Sequence, residues 1–484
     1  MRKFFVTNLF FLLTLNILIK SFWILGIDRG IQNAVSAQEY GVYFALLNFT
    51  FLFNILLDFG ITNYNNRMIA RHTNLLKKYF ARIIPLKIVL SFIYMFVVII
   101  SGLCLGYDSW QTKMLFWMCL TQVLSSFISY FRSNITSLML FKTDSIISVL
   151  DRFLLIVVCG FMLWNSRLRQ SFSIERVVYA QFLTMFITFL VALSVCLVKT
   201  GFIRIRWNKT FGFLLLRDGL PFAVLGLLMA CYNKMDSVML LSLVDDNGKS
   251  SGIYASGFRL VDSANMVSYL FSVILLPLFS KMIKERVREF MPPDSDLWIR
   301  RTFHLLLIIT SSFVAISLMY SRELMELLYN KHIEESAEVY RWLSFCFVPI
   351  SMTYIFGTLL TANGSLKKLN IIAGLGMLMN IGLNFILIPL FQQNGAAITS
   401  LITQTVTAVL QACLALKIFK VKFNWKYCLK IVFYVFAVAV AAVVVRYVVS
   451  ASWIVKTAVS LVLFVLMAFA ARILSLKDVK SLVE

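Results

Sequence analysis

The sequence predicts an all-α fold: a polytopic integral membrane protein of about fourteen transmembrane helices. Three observations carry this. Hydrophobic residues make up 60% of the 484 and charged residues only 14%. Apolar runs of about 20 residues, enough to cross a hydrocarbon core of roughly 30 Å, recur from end to end. Basic residues gather in alternate gaps between those runs.

The first span, 5–27, follows Arg2 and Lys3 and is interrupted by Lys20. Its length, that lysine and the distance to the small residues Ala34-Val-Ser-Ala37 argue for an uncleaved span over a signal peptide. The second, 39–61, opens on Tyr40-Gly-Val-Tyr43, and the third and fourth are 83–106 and 113–135. The fifth, 145–164, carries Asp151 and Arg152, and the sixth is 175–198. The seventh, 212–243, holds Lys234 and Asp236, and the eighth, 252–280, holds Arg259 and Asp262. Spans nine and ten are 302–320 and 341–362. Pro389 is expected to end the eleventh, 369–391, and Asn394-Gly395 to turn the chain into the twelfth, 395–417. The last two, 428–449 and 453–474, are rich in Val and Ala.

Loops after even-numbered spans hold Arg67, Arg71, Lys77, Lys78 and Arg82, then Lys199, Arg204, Arg206 and Lys209, then Lys281 to Arg301. The opposite loops hold acids such as Asp28, Glu39, Asp108 and Asp245. Because basic short loops stay in the cytoplasm, both termini are expected there. The same alternation explains the net charge of +23 as topology and excludes a nucleic-acid face. The eight cysteines form no CxxC pair and the three histidines are far apart, so neither redox nor zinc chemistry is indicated. Nucleotide-binding and hydrolase motifs are absent, which argues against an enzyme and against any resident cofactor.

Charges inside spans are costly unless they face a bundle interior or a wet cavity. Lys20 and Arg259 are each placed roughly 10 Å from the outer end of their spans, and Arg152 roughly 10 Å from the cytoplasmic end of the fifth. Lys234 is nearer mid-depth. Each has a structural alternative. Arg259 and Asp262 are i, i+3 and can neutralise one another. Arg152 beside Asp151 can lock two helices together. Lys234 and Asp236 point to different faces, so each needs another partner. Lys87 and Arg446 are expected to snorkel to the membrane surface. Asp58 can line the cytoplasmic mouth, bind a coupling ion or face water.

Aligning Gly41 with Gly252 gives an offset of 211 residues that lays the first span over the seventh and brings Lys20 within one turn of Lys234. This predicts a parallel repeat: a six-helix bundle over 1–200, a second over 201–420 related by a pseudo-two-fold axis, and two further helices over 421–484.

The stretch Gly357-Thr-Leu-Leu-Thr-Ala-Asn-Gly-Ser-Leu-Lys-Lys368, followed by Asn380-Ile-Gly-Leu-Asn384, Ile388-Pro389 and Asn394-Gly-Ala-Ala-Ile398, resembles the tenth-to-twelfth-helix signature of the multidrug/oligosaccharidyl-lipid/polysaccharide (MOP) exporter superfamily. Two further stretches resemble its polysaccharide branch, the Wzx-type flippases. One runs from Glu39-Tyr-Gly-Val-Tyr43 through Asp58-Phe-Gly60 to Arg67-Met-Ile-Ala70. The other joins Gly219-Leu-Pro221, Asp236, Gly252-Ile-Tyr254, Arg259 and Leu276-Pro277.

That resemblance implies a flippase in the bacterial cytoplasmic (inner) membrane. It would move an undecaprenyl-diphosphate-linked oligosaccharide of O-antigen, capsule or exopolysaccharide to the outer leaflet, with polymerase and ligase machinery as partners. Proton or sodium coupling is a further implication, with Asp58, Asp236 and Asp262 as candidates for coupling or gating. Lys20, Lys234, Arg259 and Arg152 are the candidates for the diphosphate. Arg29 joins them, because the basic first-helix residue of related lipid II flippases corresponds to either Lys20 or Arg29. A lipid II flippase and a drug/cation antiporter of the same superfamily are the rival functions. A membrane scaffold would explain the hydrophobicity but not the deep charges.

Overall fold

A computed structural model describes residues 15–201 except 17, together with 206–287, 295–419, 425–471 and 473. The start of the first expected span, Arg204 and Pro292-Pro293 lie outside these residues. The described chain is helical, and its segments match the expected spans in order. The first passes through a π-helical turn, Trp23–Asp28, into α1 (Arg29–Ala34). There follow α2 (Ala37–Leu52), α3 (Ile61–Arg71), α4 (Leu76–Cys104), α5 (Ser109–Ser137), α6 (Phe141–Trp164), α7 (Ser166–Gln170), α8 (Ile174–Thr200) and α9 (Lys209–Leu243). The second part of the chain gives α10 (Lys249–Val287), α11 (Ser295–Leu328), α12 (Ile333–Phe345), α13 (Phe347–Ala362), α14 (Leu366–Phe419), α15 (Trp425–Val448) and α16 (Trp453–Ala470). Counting α12 with α13 as one and α14 as one, ten described helices are long and apolar enough to cross a bilayer.

Polar side chains set where several helices begin. Ser36 accepts from the Glu39 N–H at 3.1 Å at the start of α2, and Asp108 with Gln111 forms a reciprocal capping box on α5. Asp246 accepts from the Gly248 and Ser250 N–H groups at 3.0 and 2.7 Å ahead of α10.

The structure corrects the second span. The expected helix over 39–61 stops at Leu52, a 3-10 turn covers Asn54–Leu57, and a left-handed turn follows at Phe59 (φ 44°) and Gly60 (φ 77°). Sixteen residues are too few to cross a membrane unaided, since a span needs about 20. The helices α3 and α7 are additions that hydropathy did not reveal, because neither is apolar enough. Spans eleven and twelve are the two parts of α14, broken at Gln392 (φ 48°) rather than at Asn394-Gly395. Pro389 lies inside the helix just before that break. Gly395 is needed nonetheless, because a Cβ there would lie 2.1 Å from the Leu387 carbonyl oxygen.

Two compact units emerge: Met1–Ala255 with Asn380–Ala396, and Ser256–Met379 with Ala397–Glu484. This packing division cuts the chain differently from the 1–200, 201–420 and 421–484 segments of the repeat. Within the first unit the two glycines aligned by the 211-residue offset meet. A Cβ on Gly41 of α2 would lie 1.9 Å from the Gly248 carbonyl oxygen and 2.6 Å from the Gly252 nitrogen, and one on Gly252 would lie 2.1 Å from the Ala37 carbonyl oxygen. Ser251 donates to the Gly41 carbonyl at 3.1 Å across the same contact. Such backbone approach is how membrane helices pack where hydrophobicity gives no driving force. A second close approach joins two of the motifs, the Phe59 carbonyl oxygen lying 1.8 Å from where a Gly219 Cβ would stand. An aromatic and aliphatic cluster including Ile69, Phe80, Ile83, Tyr130 and Phe131 is buried in this unit.

In the second unit α15 and α16 pack on α11 through Ile308, Ala315, Val438, Ala442, Phe464 and Ala468. The helix α11 has a non-helical residue, Tyr320, where the Arg446 guanidinium lies 5.3 Å over its ring. Arg446 also donates to Glu323 at 3.1 Å, an ion pair that ties the last turn of α15 to α11.

Candidate functional site

The first span, α5 and α6 together build a cationic group inside the first unit. Lys20 is half-buried, and the charges acting on it are Arg152, Asp151 and Arg132. Arg132 donates from two nitrogens to both oxygens of Asp144, at 2.7 and 3.1 Å, and Asp144 is 2% exposed. That bidentate pair joins α5 to α6 and commits the Arg132 charge. Arg152 is held far more loosely. Its Nε is 3.4 Å from Asp151, its own chain neighbour, and its guanidinium lies 5.7 Å over the Trp23 ring on the π turn. Among the described residues Lys20 has no ion-pair partner. Three cations against two carboxylates leave an excess positive charge, with Lys20 and Arg152 the members able to receive an anion.

Arg152 is the twelfth of 24 residues in α6. At 1.5 Å per residue it sits roughly 17 Å from either end of the helix, not the roughly 10 Å from the cytoplasmic end that the shorter expected span implied. Arg132 was missed because it lies near the end of a weakly apolar span. The signal available was an arginine before, and Asp144 after, the same short connection. Arg29 begins α1, half-buried, one residue after Asp28.

The candidate carboxylates are placed in three different settings. Asp236 is 1% exposed and accepts from Tyr254 Oη at 3.0 Å, Asn380 Nδ2 at 2.9 Å and Asn384 Nδ2 at 2.8 Å. The signature asparagines, one turn apart on α14, thus hold a residue of α9. Lys234 is half-buried two residues away on α9. Asp58 lies in the break of the second span, where Lys87 Nζ reaches it at 3.2 Å and also donates to the Leu57 carbonyl at 3.0 Å and Ser126 Oγ at 2.7 Å. Asp58 accepts from Thr62 as well. Lys87 is therefore a 1%-exposed clamp on irregular backbone and not a snorkelling cation. Arg259 and Asp262 are part-buried on α10, in the second unit.

Asp28 is corrected too. Counted above as a loop acid, it is 1% exposed at the end of the π turn, with Tyr40 Oη at 3.0 and 2.9 Å from its two oxygens. An acid at a span's end and a tyrosine twelve residues on were a signal too weak to separate from a wet loop.

Lys87→Met should lower thermal stability by about 2 kcal/mol, the worth of a hydrogen bond to a charged group, because Asp58 stays part-exposed and keeps Thr62. Thermal unfolding of the solubilised protein checks this, and an unchanged transition would remove the clamp from Lys87.

Comparison with known proteins shows the family and the fold. A family described as "Polysaccharide biosynthesis protein" matches residues 5–283. No curated protein sequence matches. Among solved structures, the chain is similar to an inward-facing multidrug resistance MATE family transporter of the MOP superfamily at 15% identity, over 83% of this chain and 96% of that one, with a TM-score of 0.66. It is similar to the lipid II flippase MurJ, in an inward closed conformation, at 13% identity over 94% and 98%, with a TM-score of 0.65. A MOP superfamily transporter from Pyrococcus furiosus matches at 13% identity over 85% and 94%, with a TM-score of 0.59. At such identities the likeness shows the fold. The chain is a multi-pass membrane protein of that MOP fold and belongs to the polysaccharide biosynthesis protein family.

Proposed function

We propose that this protein is a flippase carrying a polyprenyl-diphosphate-linked oligosaccharide from the cytoplasmic to the outer leaflet of the bacterial inner membrane by alternating access, with both termini in the cytoplasm. The observation that carries the reading is the cationic group of Lys20, Arg152 and Arg132, in which Lys20 has no ion pair among the described residues and Arg152 is loosely held. A diphosphate offers several charged acceptor oxygens, which suit an ammonium and a planar guanidinium together. A drug antiporter for cationic cargo would gain nothing from an excess of positive charge there. Lys234 and Arg259 remain further candidates for the head group, and Arg29 for its approach. Polymerase and ligase machinery would take the product.

The Asp236 cluster is the proposed coupling site. A buried carboxylate held by a phenol and two amides can release those donors to bind a proton or a sodium ion, and protein-bound charge that changes during the cycle is what couples two gradients. Asp58 and Asp262 are secondary candidates, Asp58 as a gate because it sits at the break of the second span.

Transport of a fluorescent short-chain polyprenyl-diphosphate oligosaccharide into reconstituted vesicles tests the reading. Lys20→Ala should slow it about tenfold or more, the loss expected for one charge-assisted contact. Lys234→Ala and Arg259→Ala should impair it while the protein still reaches the membrane. Wild-type rates in all three would end the assignment. The second reading, a lipid II flippase, is favoured by one observation: the MurJ likeness extends over 94% of the chain, against 83% for the MATE structure. Growth rescue of cells lacking lipid II translocation would decide for it.

A further inference from the structure

We propose that Asp151 is a built-in counterion that competes with the substrate's anionic head group for Arg152, and thereby sets how readily that group is released. The proposal rests on the diphosphate reading of this site and concerns its regulation.

The two arginines beside Lys20 are bound in contrasting ways. Arg132 has a two-pronged, short contact to a carboxylate that is almost wholly buried, 3% of the Asp144 side chain being exposed. Breaking that pair would strand a buried charge, so Arg132 stays where it is. Arg152 meets Asp151 through one nitrogen at 3.4 Å, longer than a good charge-assisted bond, with 33% and 16% of the two side chains exposed. Consecutive residues on a helix point about 100° apart, so this pair closes only by bending both side chains toward each other. The guanidinium lies over Trp23, with the ring centroid 5.7 Å away, a contact that orients it without using its N–H donors.

Arg152 thus has an acid that is close, weak and tethered. A phosphate in front of Lys20 would offer the guanidinium the parallel two-bond geometry that Asp151 cannot, and would draw it off. When the head group is to leave, Asp151 stands at high effective concentration, one residue away, ready to take the cation back. The carboxylate therefore lowers affinity for the anion and supplies the return stroke. Trp23 keeps the guanidinium on the same face in both arrangements. Asp151 is a positioning residue in this scheme, since it touches Arg152 and not the substrate.

The test uses the full-length protein in nanodiscs with farnesyl diphosphate as probe, and farnesyl alcohol as the uncharged control. Asp151→Asn should bind the diphosphate about two- to fivefold more tightly, the fold-change corresponding to loss of one partly exposed ion pair, and release it correspondingly more slowly. The gain should vanish in Asp151→Asn/Arg152→Gln, and neither variant should alter alcohol binding. Unchanged or weaker diphosphate binding by Asp151→Asn, with a wild-type melting transition, overturns the counterion. If the wild-type protein does not distinguish the diphosphate from the alcohol, the diphosphate reading itself falls and the counterion with it. If wild type does distinguish them and Lys20→Gln weakens binding while Asp151→Asn changes nothing, only the counterion is lost.

Discussion

Gly41→Leu and Gly252→Leu are each expected to abolish recovery of monodisperse, folded protein. A Cβ at Gly41 would stand 1.9 Å from the Gly248 carbonyl oxygen, and one at Gly252 would stand 2.1 Å from that of Ala37. Both obstacles are backbone, which cannot swing aside as a side chain can. Ordinary overpacking costs about 1–3 kcal/mol because neighbours repack. Here relief requires moving α2 bodily away from the start of α10, breaking the Ser251 bond to the Gly41 carbonyl and the Asn48 bond to Ser237, 2.8 Å long, on α9. Fluorescence-detected size-exclusion of the solubilised protein measures the outcome. Gly382→Ala is the control: nothing lies within 4 Å of a Cβ there, and alanine in a helix gains about 0.5–1 kcal/mol over glycine. Monodisperse leucine variants that melt with the wild type would show that the helices separate at no cost.

Those glycines illustrate how far the sequence reached. Tyr40-Gly-Val-Tyr43 and Ser251-Gly-Ile-Tyr254 align at the 211-residue offset on which the expected repeat rests. That the two copies would touch was not legible, since contact depends on the direction in which two helices cross. Span order was read correctly because hydropathy is a summed property of about 20 residues. The break at 53–60 was missed for the same reason: Phe53, Leu56, Leu57 and Phe59 keep the window apolar although φ at Phe59 and Gly60 turns positive. The site was half legible. Lys20 and Arg152 stand out as charges in apolar runs, but the Trp23 ring over Arg152 and the Arg132–Asp144 pair beside them are tertiary. Asp144 stands one residue ahead of the fifth expected span, and Lys87 looked close enough to a helix end to reach water. Nothing in one dimension shows that the break of the second span brings the Leu57 carbonyl to that lysine. Asn380 and Asn384 were noticed as a signature without a purpose, which the Asp236 contacts supply.

Asp236 carries the other large effect, and two substitutions separate its structural part from its chemical one. Asp236→Ala removes the acceptor for Tyr254, Asn380 and Asn384 at once, in a place where Asp236 is 1% exposed and both asparagines 0%. Stranding buried donors costs about 1–3 kcal/mol each, and breaking a buried charged network about 3–5 kcal/mol in total. The alanine variant should therefore melt far below the wild type. Asp236→Asn keeps the shape. Its carbonyl oxygen can stay toward the two asparagine amides, and its new amide can face Tyr254, whose hydroxyl turns to accept instead of donate. That variant should melt close to the wild type. It cannot, however, take up and release a proton, and its neutral oxygen holds a sodium ion far less firmly than a carboxylate does. If Asp236 couples transport to an ion gradient, the asparagine variant should still let glycolipid equilibrate between leaflets while an imposed proton or sodium gradient no longer speeds it. Vesicle transport with and without each gradient gives the answer. Should Asp236→Asn respond to the gradient as the wild type does, the carboxylate is a structural acceptor for the α14 asparagines, and the coupling charge lies elsewhere in the protein.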